Sequence, residues 1–509
     1  MIESELYDVV DVALIGSCGS RNPFSVSLWG TFTGPGGETL RIPGFYAGGS
    51  RWVVRFSPTR IGAWRYETES DLERIDSPKS GSIECAAGKG RYKGPIAVSA
   101  EHPFHFRYPD GSYYFMNVYE CDWLWALDMG TDSIERTERF VRLIASYGFT
   151  GVIMNVYAHD SDWAPGKTGQ DDYGPPPLYA WAGTNESPDH SRMNTAFFDH
   201  YDRVMRVLHN EGLTAHLFLK VYNKHVNWPK KGSPEDDLYF SYCAARYQAF
   251  PGVLWDYSKE TFYETDKDYI LGRLRLIGRL DAYARLRTVH DDTEFIADLQ
   301  RAAEIDFVTT QQHHDFYAAA LADRYRFSKP YFNSEFGYEH GPGGLEDKVY
   351  GIAQTPEELV RRAYLVFMAG GYPAYYYTYT AWDVIKPDLV PPGYAYFRIF
   401  AQWCRTLRWW EYTPSPECFR SRSILCLARQ GVDDLALFFD GGDNGKMLST
   451  TSIDFSGYSG EWMDIYSGGT RAFDAGLFQR LPNSQATLIA VNHPFAPHPA
   501  VLRLKKVVI

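Results

Sequence analysis

Two patterns of hydrophobic and polar positions divide the chain. Over roughly the first hundred residues apolar side chains alternate with polar ones, without a helical period, in the short runs "FSVSLWGTF", "SRWVVRFSP" and "GAWRYETES". The breaks "GPGG", "AGGS" and "SPTRIG" supply turns, and alternating strands between Gly/Pro turns predict a small β-sandwich over residues 1–98. From about Tyr113 the texture changes. The runs "YYFMNVYE", "TGVIMNVYAH", "TAHLFLKVYN", "GVLWDYSKE", "RLRTVHDD", "IDFVTTQQHH", "PYFNSEF" and "PAYYYTYTAW" read as eight buried strands, separated by amphipathic stretches. Ile134, Phe140, Val141 and Ile144 share a helical face behind a capping pair, Asp132 and Glu135. Asn194 opens the next helix and Gly212 stops it; Ser233-Pro234 and Thr355-Pro356-Glu357-Glu358 open two more. A helix is also expected around Phe295 to Ala303, and another over "YFRIFAQWCRTLRWW".

Eight strand–helix units in about 300 residues predict an α/β (β/α)8 TIM barrel across residues 99–412. A doubly wound open sheet is the rival, but the regularity of the units and the lack of a Gly-rich phosphate turn favour closure. After Tyr412 short β runs return ("SILCLAR", "DLALFFD", "EWMDIYS", "ATLIAV"), which predicts a second β-sandwich over residues 413–509.

Composition narrows the function classes. Charged residues number 51 basic against 63 acidic, a net charge of −12, and no basic cluster offers a nucleic-acid footprint. The seven cysteines form no CxxC pair, so neither a disulfide framework nor a structural zinc site is expected. No apolar run approaches the ~20 residues that span a bilayer. The opening "MIESELYDVVDVALIG" has no basic segment followed by an apolar one, and the expectation is a cytoplasmic protein without a membrane partner. Aromatic residues reach 16%, which suits large β-rich cores and also sugar-ring stacking.

In a barrel of this kind the active site is built at the C-terminal ends of the strands. Glu260 ends strand four and Glu335 ends strand seven, across the mouth from each other. Such a pair either stays as solvated loop charges or flanks one substrate bond, and glycoside hydrolysis needs two carboxyl groups in that arrangement. Other polar groups near strand ends, each of which serves equally well as a structural hydrogen-bonding group, are Glu120, Asp122, Asn155, His159, Lys220, Asn223, His290, Gln311, His313 and Tyr379; Trp123, Trp125, Trp163 and Trp228 are candidate stacking platforms. Two rival readings stand. A metal-dependent barrel hydrolase would use His290, Asp291, His313 and His314, although strand one lacks the His-x-His of common barrel metallohydrolases. A non-catalytic carbohydrate-binding protein is the other.

The motifs "VLWDYSKE", "RTVH" and "NSEFGYE", in that order, resemble the clan A retaining glycoside hydrolases, and more closely the apiosidase-like group with its N-terminal Ig-like domain, over roughly residues 5 to 412. The resemblance implies that Glu260 is the general acid/base, Glu335 the nucleophile, and Trp382 the floor of the sugar subsite. It also makes His290 the strongest substrate-binding candidate of the polar set. Glu339 lies beyond Gly337 in the loop rather than at the strand end, which assigns it a supporting role such as binding a hydroxyl or orienting a neighbour. The sequence departs from the group at Lys259, where Asn commonly binds the sugar 2-hydroxyl. The implied partner is an oligosaccharide or glycoside, with no cofactor; a homo-oligomer is left open. Long Gly/Pro-rich loops such as "DWAPGKTGQDDYGPPPLYAWAGTNESP" favour exo action. An acid that must hold its proton should be the more desolvated carboxyl or the one closer to negative charge, which is the expectation for Glu260 against Glu335.

Overall fold

The computed structural model describes the chain except residues 89, 91, 162–170, 292–297, 343–351, 421–422, 442–445, 481–486 and 508–509. Its centre is a parallel barrel of β1 (Val118–Glu120), β2 (Gly151–Asn155), β3 (Thr214–Val221), β4 (Val253–Lys259), β5 in two pieces (Arg287–Thr288 and His290–Asp291), β6 (Val308–Thr310), β7 (Tyr331–Asn333) and β8 (Tyr372–Tyr376). Strand β5 closes the ring. Its first piece pairs Thr288 with Asp256 of β4, and its second pairs His290 with Thr309 of β6. Buried on both faces, these strands read as continuous apolar runs rather than as strict alternation.

Helices α1 (Glu135–Ser146), α2 (Thr195–Asn210), α3 (Pro234–Tyr247), α4 (Lys267–Leu280), α5 (Phe316–Phe327), α6 (Pro356–Met368) and α7 (Pro392–Thr406) surround the ring. Three of them start where the sequence places the caps: Asn194, Ser233 and Thr355 accept from the backbone N–H of Ala196, Asp236 and Glu358. The first does not. Asp132 makes no cap; Glu135 N–H donates to Ser133 Oγ at 3.1 Å, and Asp128 Oδ2 takes Thr137 N–H at 2.9 Å. The helix expected from Phe295 starts outside the described residues, and the described part of that stretch holds only a 3-10 turn, Leu299–Arg301. Among the described residues no helix is long and apolar enough to cross a membrane.

A hairpin-like sheet (Ala97–Val98, Phe106–Arg107, Tyr113–Tyr114) plugs the N-terminal end of the barrel, where Phe106 packs edge-on against Phe307 at 5.5 Å. Antiparallel sheets flank the barrel on both sides of the sequence. The N-terminal five- and four-stranded sheets enclose Leu14, Phe32, Trp52, Val54, Phe56 and Trp64, and the C-terminal sheets enclose Leu435, Leu437, Phe439, Trp462 and Leu502. Each such side chain contributes about 1.5–3 kcal/mol of burial. Both sandwiches are bonded to barrel helices. Arg55 reaches Asp202 of α2 at 2.7 Å, and Asp440 accepts from Arg361 of α6 at 2.5 and 2.7 Å.

Candidate active site

Alternation on β1 sends Tyr119 outward and Glu120 into the ring. The Tyr119 ring meets Phe140, Phe149 and Tyr394 on the helix side. The Glu120 carboxylate instead accepts from Lys259, at the end of β4, with 2.5 Å between Oε1 and Nζ. The same ammonium lies 3.1 Å from Asp122 Oδ2, donates to the Tyr376 hydroxyl at 3.1 Å, and stands 3.5 Å from Glu335 Oε2. Tyr376 in turn donates to Asp122. Burial works against the charge on Lys259, but Asp122, Glu120 and Glu335 more than offset it, and its pKa stands well above that of a free lysine.

Glu335 follows β7 and is buried, 2% exposed. Its two oxygens differ. Oε1 accepts from the Tyr338 hydroxyl. Oε2 has no hydrogen-bond partner among the described residues and lies 3.5 Å from both Lys259 Nζ and His290 Nε2. Burial, the nearby Glu260 and Asp122 charges, and only partial relief from Lys259 and Lys224 push its pKa up to about 7.

Glu260 caps β4 in the left-handed region (φ 56°), a conformation that costs a non-glycine residue about 1–3 kcal/mol and persists only where surroundings hold it. Its backbone N–H donates to His290 Nδ1 at 2.9 Å. That bond fixes the imidazole tautomer, since Nδ1 must accept, so Nε2 carries the proton facing Glu335. Burial, then Lys259, His216 and His313, hold the His290 pKa well below the ordinary imidazole value, so the ring is neutral. With Nδ1 accepting from Glu260 and Nε2 carrying the ring proton, the neutral His290 has no free lone pair to offer a metal, and no group of three or more His, Cys, Asp or Glu side chains among the described residues is arranged to hold an ion.

The structure therefore gathers Glu120, Lys259, Glu260, His290 and Glu335 from strands one, four, five and seven. Trp382 joins them through aromatic contacts: its ring sits 5.1 Å from Tyr338 and 6.1 Å from Tyr376. Asn155, at the end of β2, is fully buried with neither amide atom partnered among the described residues, so it retains capacity for a polar ligand. His313 lies within electrostatic reach of His290, with its pKa pushed down to about 4 by burial.

Other expectations need correction. Glu339 is not in the cluster: its Oε2 accepts from Tyr375 at 2.6 Å and its Oε1 from the Gly393 N–H of α7 at 3.2 Å, on the outer side of the barrel wall. Tyr379 packs against Gly341 and carries Lys386 Nζ over its ring at 4.4 Å. Lys220 turns outward to Tyr269. Trp125 and Trp228 are packing residues, against Phe197 and Trp181 respectively, and Trp163 lies outside the described residues. Glu260 is also the less buried carboxyl, 7% against 2% exposed for Glu335, because it ends a strand while Glu335 lies over the ion cluster. Lys224, fully buried and within electrostatic reach of Glu260, Asp122 and Glu335, was not singled out from sequence; a lysine in "YNKH" gives no signal of where it points. Tyr338 was legible in principle, three residues past Glu335 in a quoted motif.

Residues 105–412 match the family described as Apiosidase-like, catalytic domain, and residues 3–71 match DUF5060, a domain of unknown function. No curated protein matches the chain. Among solved structures, a protein from Bacteroides vulgatus named as a candidate glycoside hydrolase aligns over 100% of both chains at 20% identity and a TM-score of 0.79. A family 5 glycoside hydrolase from the same organism aligns over 81% of this chain and 93% of its own, at 15% identity and a TM-score of 0.59. A further structure named only as a glycoside hydrolase aligns over 81% of this chain and 97% of its own, at 15% identity and a TM-score of 0.60. At these identities the likeness establishes the shared barrel and its flanking β domains.

Proposed function

The chain belongs to the apiosidase-like family of catalytic domains, and from that premise we propose that it hydrolyses O-glycosidic bonds of plant or microbial oligosaccharides by a retaining double displacement. The observation that carries this reading is the asymmetry of Glu335: one oxygen is held by Tyr338, while the other lacks a hydrogen bond and stands beside Lys259 and the Nε2–H of His290. A carboxylate held in this way is oriented for attack through its second oxygen.

In the first step Oε2 of Glu335 bonds to the anomeric carbon as the bond to the leaving oxygen breaks, and Glu260 gives that oxygen its proton. In the second, water loses a proton to Glu260 while its oxygen bonds to the anomeric carbon, and the ester to Glu335 breaks. Glu260, at the less buried strand end, is the group that a departing alcohol and an entering water can both reach.

Exo action is favoured by the loop that follows β2. It crosses to the loop after β8, where Tyr173 N–H donates to Asp383 O at 2.8 Å, Asp172 bridges to Val384, and Ser161 N–H donates to the Asp383 carboxylate at 2.8 Å. This clasp spans the side of the mouth where β1 lies between β2 and β8, and it supports a pocket closed at one end. A panel of aryl glycosides tests the reading. One or more should be turned over by the wild type and not by Glu335→Gln; near wild-type turnover by Glu335→Gln would overturn it.

A further inference from the structure

Lys259 meets more of this site's oxygens than any single hydrogen bond requires. Its three N–H donors are matched by Glu120 at 2.5 Å, Asp122 at 3.1 Å and Tyr376 at 3.1 Å, all fully buried or nearly so. No donor is left for a sugar hydroxyl. The fourth oxygen, Glu335 Oε2 at 3.5 Å, receives the charge without a hydrogen bond. Burying an ammonium costs several kcal/mol unless its partners are arranged around it, and here three strands contribute those partners.

The groups that face Glu335 can be named element by element. From the end of β1 comes Glu120 and from the turn after it Asp122, from the end of β4 Lys259 and Glu260, from the loop after β3 Lys224, from β5 His290, from beyond β7 Tyr338, and from the end of β8 Tyr376. The buried His216–Asp256 pair, 2.8 Å apart, lies behind His290, and His313 acts on it from after β6. Tyr338 favours an ionised Glu335 through the hydrogen bond it donates; of the charged groups only the two lysines do, and Lys224 faces Glu260 before any other carboxylate. Lys259 is therefore the principal counter-charge.

We propose that Lys259 is a positioning residue: Glu120, Asp122 and Tyr376 hold its ammonium in place, and its charge keeps the unbonded oxygen of Glu335 ionised for attack. This rests on Glu335 being the nucleophile. It makes the nucleophile's ionisation a property of a buried ion network that spans the barrel rather than of any substrate contact. It also assigns a joint task to two acids, Glu120 and Asp122, that the double displacement itself does not use.

The test is the acidic limb of kcat/KM against pH, which reports ionisation of the free enzyme's essential base. Removing the nearby opposite charge in Lys259→Met should move that limb up by about 1–3 pH units. Asp122→Asn removes a like charge from Glu335 and leaves Lys259 less neutralised, so its limb should move down. A purely structural role would lower activity in both variants without displacing the limbs in opposite directions. Unmoved limbs, or limbs displaced the same way, would overturn the proposal, provided Glu335→Gln is inactive; an active Glu335→Gln instead overturns the nucleophile reading beneath it.

A second measurement needs no turnover. Without Lys259 the Glu335 carboxyl should hold its proton more tightly in the folded state than in the unfolded one, so its contribution is retained at low pH and lost as pH rises. Between about pH 5 and about pH 8 the Tm of Lys259→Met should fall more steeply than that of the Lys259→Met/Glu335→Gln double variant. Equal slopes would count against the proposal, as would a Lys259→Met protein whose Tm follows that of the wild type across the range. If Lys259→Met does not fold, the limb of Asp122→Asn decides alone: a downward shift supports the proposal and an unmoved one overturns it.

Discussion

The backbone of Glu260 and the carboxylate of Glu335 are joined through one imidazole. His290 Nδ1 accepts from Glu260 N–H at 2.9 Å, and its Nε2 stands 3.5 Å from Glu335 Oε2. The two candidate catalytic groups thus share a rigid neutral spacer, and the left-handed turn at Glu260 is held by the same ring. His290→Asn should release that turn and leave Glu335 with one fewer proton-bearing neighbour. The expected loss in kcat/KM is about 10²-fold, the scale of an ångström-level misplacement, with kcat falling more than KM. Steady-state kinetics beside a far-UV spectrum of unchanged shape checks this, and wild-type kcat would dispose of it.

The pKa of Glu335, pushed up to about 7 mainly by burial, makes a prediction about pH. A nucleophile must be ionised, so kcat/KM should fall as pH drops through about 7, tenfold per unit well below it. This sets the acidic limb higher than for an exposed carboxylate, whose pKa lies near 4.3 on the usual ~1-unit scatter. A profile flat from pH 5 to 7, at about constant kcat/KM, would remove Glu335 from that role.

The barrel was legible because its signals are local. Asn194, Ser233 and Thr355 are capping residues two or three positions from the N–H groups they serve, and each strand is a short run of almost wholly buried residues. The cap of α1 was not, since Asp128 serves Thr137 from nine residues upstream. The site divides in the same way. Glu260 and Glu335 could be found because strand ends are countable. The partners of Lys259 could not, because Glu120 and Tyr376 lie 139 and 117 residues away and meet it only when the ring closes. Glu339 shows how a two-residue strand misleads: in Tyr338–Glu339 the side chains alternate, so Tyr338 meets Glu335 and Glu339 is sent through the wall to Tyr375.

That placement of Glu339 can be tested by stability. Burial pushes its pKa up to about 7, well above the ordinary carboxyl range, so the folded state holds the proton more tightly than the unfolded state. The contribution is intact below the unfolded value and is lost as pH rises through the folded one, a cost of roughly 3 kcal/mol at full ionisation. Glu339→Gln removes the titration while keeping a hydrogen-bonding side chain for Tyr375 and Gly393. Relative to wild type, its Tm should rise progressively from about pH 5 to about pH 8, with kcat/KM within about twofold. A large loss of activity with no pH-dependent gain in Tm would return Glu339 to the substrate site.

Stereochemistry decides between the two ways a carboxylate pair can cleave a glycoside. Glu335 and Glu260 both touch His290, one through Oε2 and one through its backbone, which brings the strand-seven and strand-four groups to the same ring. Direct attack by Glu335 requires the carboxyl groups to stand about 5–5.5 Å apart, whereas an interposed water needs roughly 6.5–9.5 Å. Two successive inversions at the anomeric carbon restore its configuration, so the first-formed sugar should carry the anomer of the substrate when followed by proton NMR before mutarotation. Glu260→Ala should add an independent sign: activated aryl leaving groups need no proton, so they should lose far less rate than alkyl ones, and azide should rescue turnover as a glycosyl azide of retained configuration. An inverted first product would instead make Glu335 a base acting through water, and its unbonded oxygen would then be the site where that water is held.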